Sequence, residues 1–268
     1  MERFFRRRYR YREAASGGGA GTGADFVEDM GVHISEEHGV RSLHLGSSMV
    51  QSAMRMSSPN HLELVYTQCM MGFTLFHPHP QSIVMIGLGG GSLAKFVHQR
   101  LPRVKTAIIE INPQVVAAAR SHFFVPPDDE RLQVVIAEGG EYVATHPSAA
   151  DVLMVDGFDD GRQVASLCSQ DFYNRAREAL KRNGVLVVNL LSRDKRVGEY
   201  IGRIETSFSG RVATVLAEPF GNLIVFAFKH NPRKKVWEDL QERAREREAE
   251  LGLPFTKFVK RLNSPKPF

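Results

Sequence analysis

From Ser82 onward the chain alternates short apolar runs with amphipathic stretches in a regular order. SIVMI, KTAIIEI, LQVVIA, DVLMVD and GVLVVNLL are apolar runs of strand length, the pattern of strands covered on both faces. Between them, SLAKFVHQRL, PQVVAAARSHF, GGEYVATH, Ser169–Lys181 and Asp194–Ser207 read as helices, one with Pro113 in its first turn. Two further strands near 212–217 and 222–229 close the series. Strands joined by helices of this length imply parallel βαβ units. The pattern therefore predicts an α/β, Rossmann-like fold with a doubly wound, mostly parallel sheet.

Upstream the period changes. Between Val32 and Met56, VHISEE, VRSLHLG and SMVQSAMRM form short alternating or apolar runs, broken by Gly39, Gly46 and the turn Ser57–Ser58–Pro59. They predict two or three antiparallel strands. Leu62, Val65, Tyr66, Met70 and Phe73 then fall at helical spacing, and His77–Pro78 with Pro80 ends that helix after Phe76. The first 24 residues end in a Gly-rich stretch that cannot bury apolar surface and read as a flexible tail. VWEDLQERAREREAEL is a polar helix expected on the outside, with no sustained a/d seam for a coiled coil. The expected division is a basic, Gly-rich tail (1–24), a small N-terminal β segment (25–60), a Rossmann-like catalytic domain (61–230) and a C-terminal polar helix and tail (231–268).

Charge changes this picture little once it is placed. Of the net +5, residues 1–13 carry six arginines against two glutamates, and residues 233–268 carry ten Lys/Arg against six Asp/Glu. The middle of the chain is therefore slightly acidic, which excludes a nucleic-acid surface on the folded body by charge. The N-terminal Arg/Tyr stretch reads as a solvated tail, with contact to nucleic acid or anionic lipid as the alternative. No apolar run approaches the roughly 18 residues of a membrane span, and no apolar h-region follows MERFFRRRYRYRE. Cys69 and Cys168 are the only cysteines, without a CxxC or a His/Cys cluster. Neither a disulfide framework nor a metal site is expected, and a reducing cytoplasm is the expected location.

Candidate chemistry gathers at the strand ends, where open parallel sheets bind ligands beside the point of reversal in strand order. Ile83–Ile86 runs into Gly87-Leu88-Gly89-Gly90-Gly91-Ser92 and then a helix, so Gly87, Gly89 and Gly90 let backbone approach a ligand. Glu110 ends the second strand about twenty residues on, where a carboxylate can accept both ribose hydroxyls. Gly89, Gly91 and Ala94 also satisfy the G-x-G-x-x-A of a dinucleotide site. Three features favour adenosine without a pyrophosphate. The glycines start at the strand end, Glu138 follows the third strand within reach of an adenine amino group, and Asp156 ends the fourth strand in the same crevice. An S-adenosyl-type sulfonium is the expected ligand, with a dinucleotide, or Glu110 as a mere helix cap, as alternatives. Beside a sulfonium, Asp156 and Asp159 can hold a cationic amine and take its proton. Alternatively, Asp159 or Asp160 caps the following helix or sits in a solvated loop.

The segments IVMIGLGGGS, IEIN, AEGGEYV, DVLMVDGFDD and QDFYNRAREALKRNGVLVVNL resemble, in order and spacing, the polyamine aminopropyltransferases of the spermidine synthase family. The resemblance covers roughly residues 32–230. It implies the S-adenosylmethionine-dependent-transferase form of the Rossmann-like fold, with the N-terminal β segment as a lid over the amine site. It also implies transfer of the aminopropyl group of decarboxylated S-adenosylmethionine to putrescine or a related amine, releasing methylthioadenosine, with no metal. By this resemblance Glu110 holds the ribose, Glu138 stands at the adenine, Asp156 is the catalytic acid/base and Asp159 helps bind the amine. Gln51 corresponds to a lid glutamine in the cofactor site, and Tyr66 to a tyrosine shaping the amine pocket, although it fits equally as a core residue of its helix. A homodimer is the family's usual assembly.

The chain departs from the family pattern at several points. The family's glycine loop reads GGGDGG, with its aspartate on the aminopropyl ammonium, and that position is Gly90 here. A late Tyr-Pro pair that helps activate the amine aligns with Glu218–Pro219, which makes Glu218 the candidate cation-binding substitute. Asp160 replaces a proline, and the N-terminal β segment is short. Without the loop carboxylate, discrimination against intact S-adenosylmethionine is relaxed. Methyl transfer is therefore one alternative, and ligand binding without turnover is another.

Overall fold

The computed structural model describes residues 31–46, 49–159, 162–219 and 221–263, without the side chains of Asp159 and Arg162. The tail 1–24, Asp160 and the Asp159 carboxylate thus lie outside the described residues.

Strands β1 (Val32–Glu37), β2 (Val40–Leu45) and β3 (Ser52–Arg55) form an antiparallel sheet in that order. One of its faces is buried through Leu43 and Met54, while β1 is largely exposed. The expected helix 62–76 is shorter than its periodicity suggests. Helix α1 (Val65–Met70) passes directly into a 3₁₀ turn over Met71–Leu75. The i→i+3 turn tightens the segment before the two prolines and buries Met71, Phe73 and Leu75.

The alternating region then follows as β4 (Ser82–Ile86), α2 (Ser92–Arg100), β5 (Lys105–Glu110), α3 (Pro113–Phe123), β6 (Leu132–Ile136), α4 (Gly139–Thr145) and β7 (Ala150–Val155). After a small hairpin, β8 (Phe158–Asp159) and β9 (Arg162–Gln163), come α5 (Gln170–Ala179), β10 (Leu180–Leu191), α6 (Val197–Phe208), β11 (Val212–Leu216) and β12 (Asn222–Phe228). Helix α5 stops earlier than its periodicity predicts, because Leu180 already pairs with Ala150, ahead of a register irregularity that ends at Val185.

The C-terminal segment is α7 (Lys234–Glu238), α8 (Leu240–Leu251), α9 (Phe255–Val259) and β13 (Leu262–Asn263). The single polar helix of the sequence reading is therefore divided at Asp239. One face of it is buried through Leu240, Ala244 and Leu251, followed by Leu253, Phe255 and Phe258. Like-charged neighbours on its other face hide this packing from a periodicity count. Among the described residues no helix is long and apolar enough to cross a membrane.

The main sheet has the order β13-β11-β12-β10-β7-β4-β5-β6, parallel from β10 to β6 and antiparallel beyond β10. Strand order reverses at β4, which pairs with β5 on one side and β7 on the other. Alternate residues of the central strands enter two separate cores. Ile83, Met85, Val152, Met154, Val185 and Val187 face α1, α2, α3 and the C-terminal helices. Val84, Ile86, Leu153, Val155, Leu186 and Val188 face α4, α5 and α6. Continuous apolar runs are what two covered faces require.

A buried cation ties the small sheet to the large one. Lys95 on α2 is almost fully buried, and its Nζ donates to the carbonyls of Pro59 (2.8 Å) and Phe123 (2.6 Å) and touches Met54 Sδ. The Phe123 carbonyl is a free C-terminal acceptor of α3, favourable for a cation. None of these partners carries a counter-charge, and burial pulls the lysine pKa down to about 8. The unfolded chain, with a lysine pKa near 10.4, binds more protons between those two values, so this group makes the fold more stable as pH rises through that window. Lys95→Met removes the titration. The stability difference between wild type and Lys95→Met, measured by chemical denaturation, is expected to shift in favour of wild type between pH 7 and pH 10. An upper bound for that shift is about 3 kcal/mol.

Candidate active site

The carboxyl ends of β4, β5 and β7 meet where strand order reverses, the place at which open parallel sheets hold a ligand crevice. Strand β4 ends at Gly87, whose N–H donates to the Ile109 carbonyl, while the Asp156 N–H donates to the Ile86 carbonyl. Gly87 has φ +94°, and a Cβ there would lie 2.4 Å from the Asp156 carbonyl oxygen. Only glycine allows the two strand ends to come this close. Gly89 follows in the same loop, which leads into α2.

Glu110 is buried at the end of β5. Its Oε2 accepts the Leu88 N–H and its Oε1 the Asn112 N–H, each at 2.9 Å. Burial raises its pKa, against the pull of the backbone amides of Leu88, Asn112, Ile111 and Gly89. The carboxylate braces the glycine loop and does not cap α3, a task taken by the Asn112 side chain on the Gln114 N–H. Each carboxylate oxygen keeps further lone pairs for a ligand. Next to it, Ile111 (60% exposed) and Ile136 (58%) present apolar surface at adjacent strand ends. Sequence reasoning passed over Ile111, although an apolar residue straight after a strand-terminal carboxylate was visible in IEIN.

Glu138 reaches the same edge after β6, but its Oε2 accepts the Glu141 N–H at 2.7 Å and caps α4. An acidic side chain at a helix N-terminus needs no ligand to explain it.

Asp156 ends β7. Its Oδ1 accepts from Asn189 Nδ2 at 2.8 Å, and its Oδ2 from the Tyr66 hydroxyl at 3.1 Å. Burial raises its pKa, and these two hydrogen bonds only partly offset the rise. The Tyr66 pKa also rises, from burial first and then from the neighbouring Asp156 charge. Tyr66 is thus joined to the crevice as well as to its own helix. It also touches the small sheet, since its hydroxyl lies 3.3 Å from the Gln51 carbonyl. Gln51 takes part in this contact through its backbone. Glu218 is exposed in the β11–β12 turn, at the same edge of the sheet but beyond β10 and β12. Its carboxylate makes no hydrogen bond to Asp156 or Tyr66.

The small sheet closes directly on the glycine loop at Gly90. A Cβ at that position would lie 2.7 Å from Ser52 Oγ, 3.1 Å from Ser52 Cβ and 2.9 Å from Phe123 Cδ1. Ser52 in turn lies 3.4 Å from the Ser92 hydroxyl at the start of α2. The space a side chain at 90 would need is filled by strand β3 and the end of α3. No group of three or more potential metal ligands occurs among the described residues.

A glycine loop at the switch point, with a carboxylate at the end of β5 and another at the end of β7, defines a candidate ligand site on a Rossmann-like α/β fold. Residues 63–193 match the family model of the spermine/spermidine synthase domain. The polyamine aminopropyltransferase of Chromobacterium violaceum is 43% identical over 231 residues, covering 86% of this chain and 88% of that protein. The chain therefore belongs to the spermine/spermidine synthase family. A probable spermidine synthase from Corynebacterium glutamicum superposes with a TM-score of 0.68 at 14% identity, over 88% of this chain and 93% of that one. Human methyltransferase-like protein 13, in complex with SAH, superposes with 0.63 at 24% identity, over 76% and 95%. At these identities the structural likeness establishes the fold alone.

Gly90→Asp is expected to force Ser52 and Phe123 apart and to lower stability by about 1–3 kcal/mol, the usual cost of overpacking. Adding Ser52→Gly should recover part of that loss, a coupling that a thermal-melt double-mutant cycle would resolve.

Proposed function

We propose that the protein transfers the aminopropyl group of decarboxylated S-adenosylmethionine to putrescine or a related small amine. The observation that carries this reading is the Tyr66–Asp156 pair beneath the lid, on the crevice floor next to the Gly87 turn. Glu110 is suited to the ribose hydroxyls, and Ile111 and Ile136 to the faces or edge of the adenine. Glu138 can add a contact to the adenine amino group only while also serving as a helix cap. An amine arrives protonated. The Asp156 carboxylate attracts the ammonium and accepts one proton, which frees the nitrogen lone pair. That lone pair attacks the aminopropyl carbon bonded to sulfur. A C–N bond forms, the C–S bond breaks, and the sulfonium leaves as the neutral thioether methylthioadenosine. Holding both reactants in one crevice supplies much of the rate by orientation alone.

One observation favours methyl transfer as a second reading. The loop carries no carboxylate at Gly90, where Ser52 and Phe123 pack against the glycine, so no side-chain charge there repels the carboxylate of intact S-adenosylmethionine.

Purified protein given decarboxylated S-adenosylmethionine and a panel of diamines should release methylthioadenosine. Asp156→Asn should lower the rate by about 10²–10⁴-fold, the span of a lost general base. Because only ionised Asp156 accepts a proton and its pKa is raised, the rate should fall with acid at a pH above the ordinary aspartate range. Release of S-adenosylhomocysteine from intact S-adenosylmethionine, with no methylthioadenosine from any amine, would establish the second reading instead.

A further inference from the structure

Across the crevice floor a row of polar side chains runs from strand to strand. Asn189 follows the Val188–Val155 pair of the parallel β10–β7 ladder, so it stands beside Asp156. Asn222 on β12 is paired with Leu191, one diagonal step from Asn189. Asp156, Asn189 and Asn222 continue the alternation that sends Met154, Val187 and Ile224 into the core beneath α1. They cap that core with a polar edge. Asn189 is only 1% exposed and interrupts an otherwise apolar strand, VLVVNLL. A buried amide in such a place is costly unless its donors and acceptor are engaged.

They are engaged in a fixed direction. Asn222 Nδ2 donates to Asn189 Oδ1 at 2.9 Å, and Asn189 Nδ2 donates to Asp156 Oδ1 at 2.8 Å. The Asn189 backbone carbonyl accepts from Gln163 Nε2 at 3.1 Å, which holds the strand end. Turning the Asn189 amide over would set its oxygen against a carboxylate and its NH₂ against the Asn222 donor. The order Asn222, Asn189, Asp156 is self-consistent in one orientation only.

We infer that Asn189, oriented by Asn222, is a positioning residue that fixes Asp156 through Oδ1 and leaves Oδ2 for Tyr66 and the incoming ammonium group. This rests on the transferase reading above, and it adds two residues to which the resemblance assigned no role. A donor on Oδ1 favours the ionised form of the carboxylate, which is the form that accepts a proton. Of the titratable groups described, Tyr66 from α1 is the one that meets Asp156. The strands β10 and β12 offer neutral amides, and the glycine loop offers backbone.

The test compares Asn189→Leu and Asn222→Leu with wild type across pH. Asn189→Leu should move the acid limb of the rate profile up by roughly one pH unit, the equivalent of one hydrogen bond to a charged group. Asn222→Leu frees the amide to turn, and should move the limb the same way by less. An even loss of rate at all pH values, with the limb unmoved in both variants, would overturn the inference and leave Asn189 a packing residue. If Asn189→Leu does not fold, Asn222→Leu decides alone, since Asn222 is only partly buried. If wild type releases no methylthioadenosine, the transferase reading fails. The inference is then still tested by NMR titration of the Asp156 carboxyl carbon, assigned with Asp156→Asn. An upward shift of that titration in the leucine variants supports the positioning role, and its absence refutes it.

Discussion

The crevice depends on how closely two strand ends approach where β4 meets β7. At Gly87 the backbone turns within contact distance of the Asp156 carbonyl, and any side chain would push the strands apart. This closeness has two consequences for the site. It sets the Asp156 carboxylate beside the glycine loop rather than beyond it. It also directs the loop toward Glu110, whose two oxygens then brace the amides of Leu88 and Asn112. The same economy recurs at Gly90, where the missing side chain lets Ser52 of β3 rest on the loop. Backbone contact, more than any one polar bond, fixes where the functional groups stand.

Electrostatics builds on that geometry. Asp156 sits where burial disfavours its charge, and two donors, Asn189 and Tyr66, restore part of the loss. The Tyr66 hydroxyl has one proton and two acceptors, Asp156 Oδ2 and the Gln51 carbonyl. Asp156 and the backbone just before β3 therefore share a single hydroxyl proton. Lys95 plays the complementary part at the other end of β3, with a cation held by two carbonyls and the Met54 sulfur. The small sheet is fastened by polar groups at both ends of β3, and its apolar residues Leu43 and Met54 complete the core between them.

The sheet and its helices were legible because strands buried on both faces leave unbroken apolar runs that periodicity detects. Gly87, Glu110 and Asp156 were legible because each stands at a strand end, where an α/β sheet concentrates its chemistry. Asn189 left only a faint trace, one polar residue in an apolar run, and its meaning depends on the register of β10 against β7 and β12. Glu138 shows the opposite difficulty. Its position suggested an adenine contact, while the local backbone gives it a helix cap to make. The C-terminal packing escaped because α8 is polar around most of its circumference and buries only a narrow face. The final pairing of β13 with β11 involves two residues, too short to leave a pattern.

In the proposed reaction one crevice holds an adenosine donor on Glu110 and an amine on Asp156. A crystal structure with methylthioadenosine and a diamine bound together tests it most directly. Both ribose hydroxyls are expected on the Glu110 carboxylate, and an amine nitrogen within hydrogen-bonding distance of Asp156 Oδ2. A nucleoside bound away from Glu110, or an amine whose nitrogens all avoid Asp156, would contradict it.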